Sequence, residues 1–399
     1  MRVPAAPGAG MLNVTALLGR PSGSDALRYG RGGGGAARAE LRRPVVVWNS
    51  TRRCNLACRH CYSDSDARAH PQMSQDEAVA MIRDVAAFGS PALLLSGGEP
   101  LMRPDAFELI GEARDAGLPV TLSSNGTLID PPRARRLADL GVRYVGISID
   151  GIGPVHDAFR GRRRAFVRAL AGIRALRAEG VRVGMRVTLT ATAIAALPEL
   201  LALVEREGIG RICFYHLVPA GRGAAAAPGV DTAGVRAAVE RIFDQAERWV
   251  AADRDVEVLT VDNYADGPAL LLRLRRTDPA RAEEAARALR WNGGARNAAG
   301  VGLAAVDWDG WVRPDQFWPG RPLGNVRERP LSRIWTDPPV VLRALRERSG
   351  RVAGRCGGCR FLPVCGGGLA SRSLAVTGRL FAPDPACHLR DDEVAAGQP

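Results

Sequence analysis

The chain has 399 residues, more than a single compact core usually holds, so a main domain with an appendage is expected. It is 46% hydrophobic and 24% charged, which excludes a disordered or collagen-like chain and reads as soluble and globular. The formal net charge of +13 comes from 55 basic residues, every one of them arginine. Beside so much Ala and Gly, that usage has a bland cause in GC-rich codons. It also has a functional one, because guanidinium forks hold carboxylates bidentately and suit an acidic substrate. No basic tract with interleaved aromatics appears, so nucleic acid is not an expected partner.

Residues 1–43 are rich in Gly, Ala, Pro and Arg and read as a flexible leader, with Met11 as a candidate start. "MLNVTALLG" is too short for a signal segment, and no apolar run approaches the roughly 20 residues that span a bilayer. A membrane is therefore not expected, and a cytoplasmic location is. From Pro44 the pattern changes. "PVVVWNS" is a strand buried on both faces. Ser74 to Phe88 has helical spacing, with Ser74 as N-cap and Glu77 three residues on. "ALLLSGG" is a strand and "PDAFELIGEARDAG" a helix ending at Gly117. Strand and helix go on alternating through "LPVTLSSNG", "PPRARRLADLG", "YVGISIDG", "RAFVRALAGIRALRAEG", "VRVGMRVTLT", "ALPELLALVEREG" and "RICFYHLVP". Six strands with helical crossovers predict an α/β fold over 44–219, a partial (β/α)6 TIM-like barrel whose chemistry sits at the strand carboxyl ends. Residues 220–296 read as a helical bridge, and 297–399 as a small Gly-, Pro- and Trp-rich domain.

The eight cysteines form two tight clusters plus Cys213 and Cys387, a metal pattern more than a disulfide pattern. Cys54, Cys58 and Cys61 are spaced C-x3-C-x2-C in the loop after the first strand. Three thiolates hold three irons of a [4Fe–4S] cluster and leave the fourth open, as a catalytic site requires. A zinc site with an unseen fourth ligand is the alternative. Cys356, Cys359 and Cys365, with Cys387 further on, make a complete set of four, whose spacing admits either a cubane or a zinc ribbon. Cys213, without a cysteine neighbour, reads as a small core residue.

The first cluster, with Tyr62 directly after it, resembles the signature of the radical SAM enzymes. The resemblance implies a cluster whose open iron is chelated by S-adenosylmethionine (SAM). It further implies a SAM site built from Tyr62, from Gly97, Gly98 and Glu99 of "SGGEP", from Asn125 of "SSNG", and from Ser148, Arg160 and Leu217. Glu99 would meet the methionine ammonium, and Arg160 the carboxylate. The second cluster resembles the SPASM extension, whose full seven-cysteine pattern holds two auxiliary clusters. Here Asn297, Asp315 and Leu369 stand where three of those cysteines would be, so one auxiliary cluster is expected and one is lost. Two [4Fe–4S] clusters and SAM are thus the expected cofactors, with a flavodoxin or ferredoxin as electron donor.

"LSSNGTLID", "FYHLVPAGRG", "TVDNYADGPALL", "DGWVRPDQFW" and "GRCGGCRFLPVCGG" narrow the resemblance to the radical SAM proteins of haem d1 biosynthesis, over roughly residues 44 to 393. That family implies a tetrapyrrole substrate, a didecarboxysirohaem from which two propionates are removed. The rival readings are an iron-coproporphyrin decarboxylase of alternative haem synthesis, a SPASM enzyme modifying peptides or proteins, and, from another class, a non-catalytic metal-binding module. His216 is a candidate ligand of the tetrapyrrole iron or a barrel histidine. Asp262 and Tyr264 are candidates for the pocket wall or for a turn between helices. Trp308, Trp311, Trp318 and Trp335 read as packing for the small domain.

Overall fold

A computed structural model describes residues 11–21, 43–142, 144–226, 229–292 and 299–395. Its frame is one mixed sheet in the order β1-β8-β7-β6-β5-β4-β3-β2-β9-β10-β11. The six predicted strands are all present: β2 (Val45–Asn49), β3 (Leu93–Ser96), β4 (Val120–Ser124), β5 (Tyr144–Ser148), β6 (Arg182–Leu189) and β7 (Arg211–His216). They pair in parallel, each with the next. Continuous apolar runs make this possible, since helices on the outside leave no solvated face. β2 is buried at every residue.

The helix Gln75–Ala87 begins where expected. Ser74 accepts from the Glu77 backbone N–H, and Glu77 accepts from that of Ser74, so two orphan donors at the helix start are satisfied. Its buried face carries Ala78, Met81, Ile82 and Val85, which join Leu109 and Ile110 of the next helix in the main core.

The sheet is wider than six strands, which corrects the expected boundaries in three places. β1 (Met11–Asn13) lies inside the supposed leader and pairs antiparallel with β8 (Glu257–Val261). It is followed by a short helix, Val14–Leu17, capped by Asn13. The rest of the leader lies outside the described residues. β8, inside the supposed helical bridge, pairs in parallel with β7. β9 (Leu303–Val306) pairs in parallel with β2, so the boundary expected at 297 falls beside a strand of the barrel sheet. These strands are short, and "LAAV" is made largely of small residues, so nothing local marks them until neighbours supply the pairing. β10 (Trp311–Arg313) and β11 (Gly324–Asn325) complete the other edge. Of the tryptophans, Trp318 and Trp335 are buried in packing, as expected. Cys213 is buried against Leu259 and Val261.

Candidate active site and iron–sulfur sites

The carboxyl ends of the parallel strands surround one open cleft. Its wall takes Cys54, Cys58, Cys61 and Tyr62 from the loop after β2, and Gly97 and Gly98 from after β3. Asn125 comes from after β4, Ser148 from β5, Arg160 from the helix Pro154–Arg160, and Leu217 from after β7. Seven of the eight expected SAM-site residues thus share one cavity with the three cysteines. Glu99 does not. It is fully buried beneath the wall, where its carboxylate accepts from Ser124 Oγ (2.9 Å), the Asn125 N–H (2.8 Å) and the Leu101 N–H (3.3 Å). Burial pushes its pKa up to about 7, while these bonds pull the other way. In this arrangement it holds the β4 loop and is not on the cleft wall where an ammonium would meet it.

The two glycines are explained differently from expectation. A Cβ on Gly97 would lie 2.5 Å from Thr51 O, and one on Gly98 2.3 Å from Arg53 O. Gly97 also has φ +129, a region closed to most side chains. The close neighbour is therefore the cysteine loop itself, bonded through Gly98 N–H to Thr51 O (2.7 Å) and Glu99 N–H to Arg53 O (2.9 Å). Arg222, which sequence reasoning passed over, clamps the same loop by donating to Cys58 O and Ser65 O (3.0 Å each). Its signal was the "AGRG" stretch: a Cβ on Gly221 would meet Cys61 O at 2.5 Å.

The sulfurs are set up as acceptors. Leu56 N–H points at Cys54 Sγ (3.4 Å), and Arg160 Nη1 at Cys58 Sγ (3.4 Å). Burial pushes the Cys54 thiol up to about 12, with Glu99 and the two neighbouring thiols adding to the rise. Three crowded thiolates are stable together only around strong positive charge. Arg160 also bonds Asp150, which is completely buried. Burial opposes ionisation of Asp150, but Arg160 outweighs it and keeps the carboxyl below its usual range. Asp150 lies two residues after Ser148 in "YVGISIDG", and the sequence reading gave it no role. Tyr62 donates to Asn49 Oδ1 (2.7 Å) and packs edge-on against Phe317 (5.3 Å between centroids), closing one flank of the cleft.

The second cysteine set converges in the same way. Cys356, Cys359, Cys365 and Cys387 line one small cavity. Phe361 N–H points at Cys359 Sγ (3.4 Å), and Arg355 Nη1 at Cys387 Sγ (3.3 Å). Burial pushes Cys365 up to about 12, and the other three thiols add to it. Among the described residues no three His, Cys, Asp or Glu side chains converge as ligands of a single metal ion.

Where the pattern lacks cysteines, the protein is filled. Asp315 is buried and accepts from Ser371 Oγ and from the Phe317 N–H. Leu369 is buried, and its N–H bonds Asp384 (2.7 Å), which pairs with Arg372 (2.9 Å). Asn297 lies outside the described residues. His216 has both ring nitrogens engaged, Nε2 with Asp266 (2.8 Å) and Nδ1 with Asn263 (3.4 Å), so in this arrangement neither is free for a tetrapyrrole iron. Asp262 lines the cleft; Tyr264 is not on its wall.

The barrel, the three-cysteine loop and the separate four-cysteine pocket define a radical SAM enzyme with an auxiliary iron–sulfur domain. The model of the radical SAM superfamily matches residues 48–200, and that of an iron-sulfur cluster-binding domain, SPASM, matches 299–360. The chain is 43% identical to an Fe-coproporphyrin III synthase of Methanosarcina barkeri, over 96% of this chain and 99% of that protein. It is 42% identical to a pre-heme d1 synthase of Dinoroseobacter shibae, over 87% and 86%. An AdoMet-dependent heme synthase of Nitratidesulfovibrio vulgaris is 32% identical over 86% and 91%. Among solved structures, Streptococcus suis SuiB bound to S-adenosylmethionine superposes with a TM-score of 0.67 at 16% identity, over 88% of this chain and 78% of that one. The chain belongs to the haem-biosynthesis family of radical SAM enzymes. No helix among the described residues is long and apolar enough to cross a membrane.

Proposed function

We propose that the enzyme uses a carbon radical to remove propionate side chains from didecarboxysirohaem on the way to haem d1. Support comes from 42% identity to the pre-heme d1 synthase over most of both chains, together with a cleft at the strand ends that the three clustered cysteines line. A propionate has no good leaving group until a hydrogen is taken from a carbon beside it. When bound, the cluster and SAM supply the electron and the 5′-deoxyadenosyl radical for that step, and the three thiols gathered on one cleft wall, two of them buried, suit them to hold the cluster.

The chain's own residues bind, orient and exclude. Cys54, Cys58 and Cys61 are the ligands of the open cluster, and Cys356, Cys359, Cys365 and Cys387 those of the auxiliary one. Ser148, Asn125, Tyr62 and the Gly97–Gly98 turn line the SAM end, with Leu217 against the adenine. Arg160 is assigned to the SAM carboxylate. Its Nε is buried without a partner among the described residues, although its Nη atoms are taken by Asp150 and Cys58. Arg160→Lys keeps a cation for Asp150 but removes the fork. It is expected to weaken SAM binding about ten- to a hundredfold, the worth of a charged hydrogen bond. An unchanged SAM dissociation constant would remove Arg160 from the site. The enzyme would work in the cytoplasm, reduced by a flavodoxin or ferredoxin.

A second reading has equal support in the 43% identity to the Fe-coproporphyrin III synthase, a name that makes that pigment a product. Anaerobic incubation with didecarboxysirohaem, SAM and a reductant, followed by mass analysis of the pigment, separates the two. Loss of two propionates is expected; a product with the mass of Fe-coproporphyrin III would replace the first reading by the second.

Cofactor content is a further test. Two cubanes predict about eight irons and eight sulfides per chain. About twelve irons in intact cubanes would show a cluster beside Asp315, and about four with one zinc would make the C-terminal set a zinc ribbon.

A further inference from the structure

Asp262 directly follows β8 on the wall of the cleft, at the same carboxyl end of the barrel as the other site residues. Its backbone has φ +66, a conformation that side chains other than Gly and, less often, Asn or Asp avoid, and such outliers gather where function requires them. It is 6% exposed, yet its Oδ2 has no hydrogen-bond partner among the described residues. The nearby cation does not neutralise it: Arg372 Nη2 donates to the Asp262 carbonyl oxygen, while Nη1 is bound to Asp384. The other groups around it are Asp315 beyond β10, Asp384, and the phenols of Tyr215 and Tyr264. A buried carboxyl with an idle oxygen, on a residue that lines a ligand cavity, is a group built to be completed by something that enters.

We propose that Asp262 donates a hydrogen bond from its carboxyl group to a carboxylate side chain of the bound tetrapyrrole, and so fixes which side chain is presented to the radical. This rests on the tetrapyrrole reading. Two of the positions where the cysteine pattern has gaps adjoin a polar plug, Asp315–Ser371 and Arg372–Asp384, whose acids act on Asp262 through space. Burial pushes the Asp262 pKa up to about 7; Arg372 pulls it down, and Asp315 and Asp384 add to the rise. Below that pH the group is a neutral donor, as an acid buried among apolar and acidic neighbours can be. Above it the group is an anion that repels a carboxylate.

The test is equilibrium binding of didecarboxysirohaem to the SAM-loaded holoenzyme, without oxygen, for wild type, Asp262→Asn and Asp262→Gly. Both variants tolerate the positive φ. Wild-type affinity is expected to fall about tenfold as pH rises from about 6 to about 8. Asp262→Asn, which keeps an N–H donor, should bind at the low-pH level throughout. Asp262→Gly should bind about tenfold more weakly than wild type at the lower pH, without the slope. SAM affinity should be unchanged in both. A wild-type slope that persists in Asp262→Asn, or full affinity in Asp262→Gly, would overturn the assignment of Asp262. Wild-type protein that binds SAM but no tetrapyrrole at any pH would overturn the substrate reading itself.

Discussion

Cys61→Ala is expected to abolish formation of 5′-deoxyadenosine and to leave about four irons in the protein. The catalytic set has three thiols and no spare. Asn55, Ser63 and Ser65 lie nearby, but oxygen and amide donors are poor substitutes for soft thiolates on iron. Removing one thiol leaves two anchors for a cubane, too few to hold it against loss. The second pocket is lined by the C-terminal cysteines and by none of the three in the cleft, so its own cubane should survive. Iron analysis and SAM cleavage under strong reduction check both halves. Continued 5′-deoxyadenosine formation would mean that the radical centre lies elsewhere.

The second large effect concerns the joint between barrel and iron–sulfur domain. Asp266 is completely buried at the start of the helix Asp266–Thr277 and accepts from His216 Nε2 and His388 Nε2, both at 2.8 Å. His216 belongs to β7, and His388 follows the auxiliary cysteine Cys387, so one carboxylate ties the cleft wall to the second pocket. Asn263 reinforces the tie by donating to Ala386 O (2.9 Å). Asp266→Ala strands two buried imidazoles at once. Breaking a buried pair costs about 3–5 kcal/mol, so the variant should unfold at markedly lower denaturant concentration. Burial disfavours the Asp266 anion, but the two histidines outweigh it and hold the carboxyl well below its usual range. A depressed carboxylate contributes stability above its unfolded pKa of about 3.9 and loses it as pH falls toward the folded value. Wild type should therefore lose stability on acidification below about pH 4 more steeply than Asp266→Ala. Equal midpoints for the two proteins at neutral pH would show that the bridge carries no weight.

Much of the site could be read locally because each motif is short and bound to one strand end. Cys54 to Tyr62 lie in one loop, and Ser148 ends a strand of five buried or half-buried residues. Spacing alone puts such groups on the same side of a parallel sheet. Glu99 shows the limit. Its position after two glycines was legible, but whether its carboxylate faced the cleft or the β4 loop depended on Ser124 and the Asn125 N–H, which reach it from another strand.

The sequence by itself determined the six-strand α/β alternation, the two cysteine sets and the gap at Asp315 and Leu369, because periodicity and thiol spacing are properties of contiguous residues. Tertiary structure alone decided that β1, β8 and β9 widen the sheet, since short strands form only when partners 45 or more residues away complete their hydrogen bonds, as between Arg211 and Glu257. It alone decided that His216 answers to Asp266, that Asp315 is buried against Ser371, and that Asp262, on the cleft wall after β8, keeps a buried oxygen idle. The physical reason is shared. A buried polar group must find its partners wherever the fold brings them, and those partners lie far along the chain.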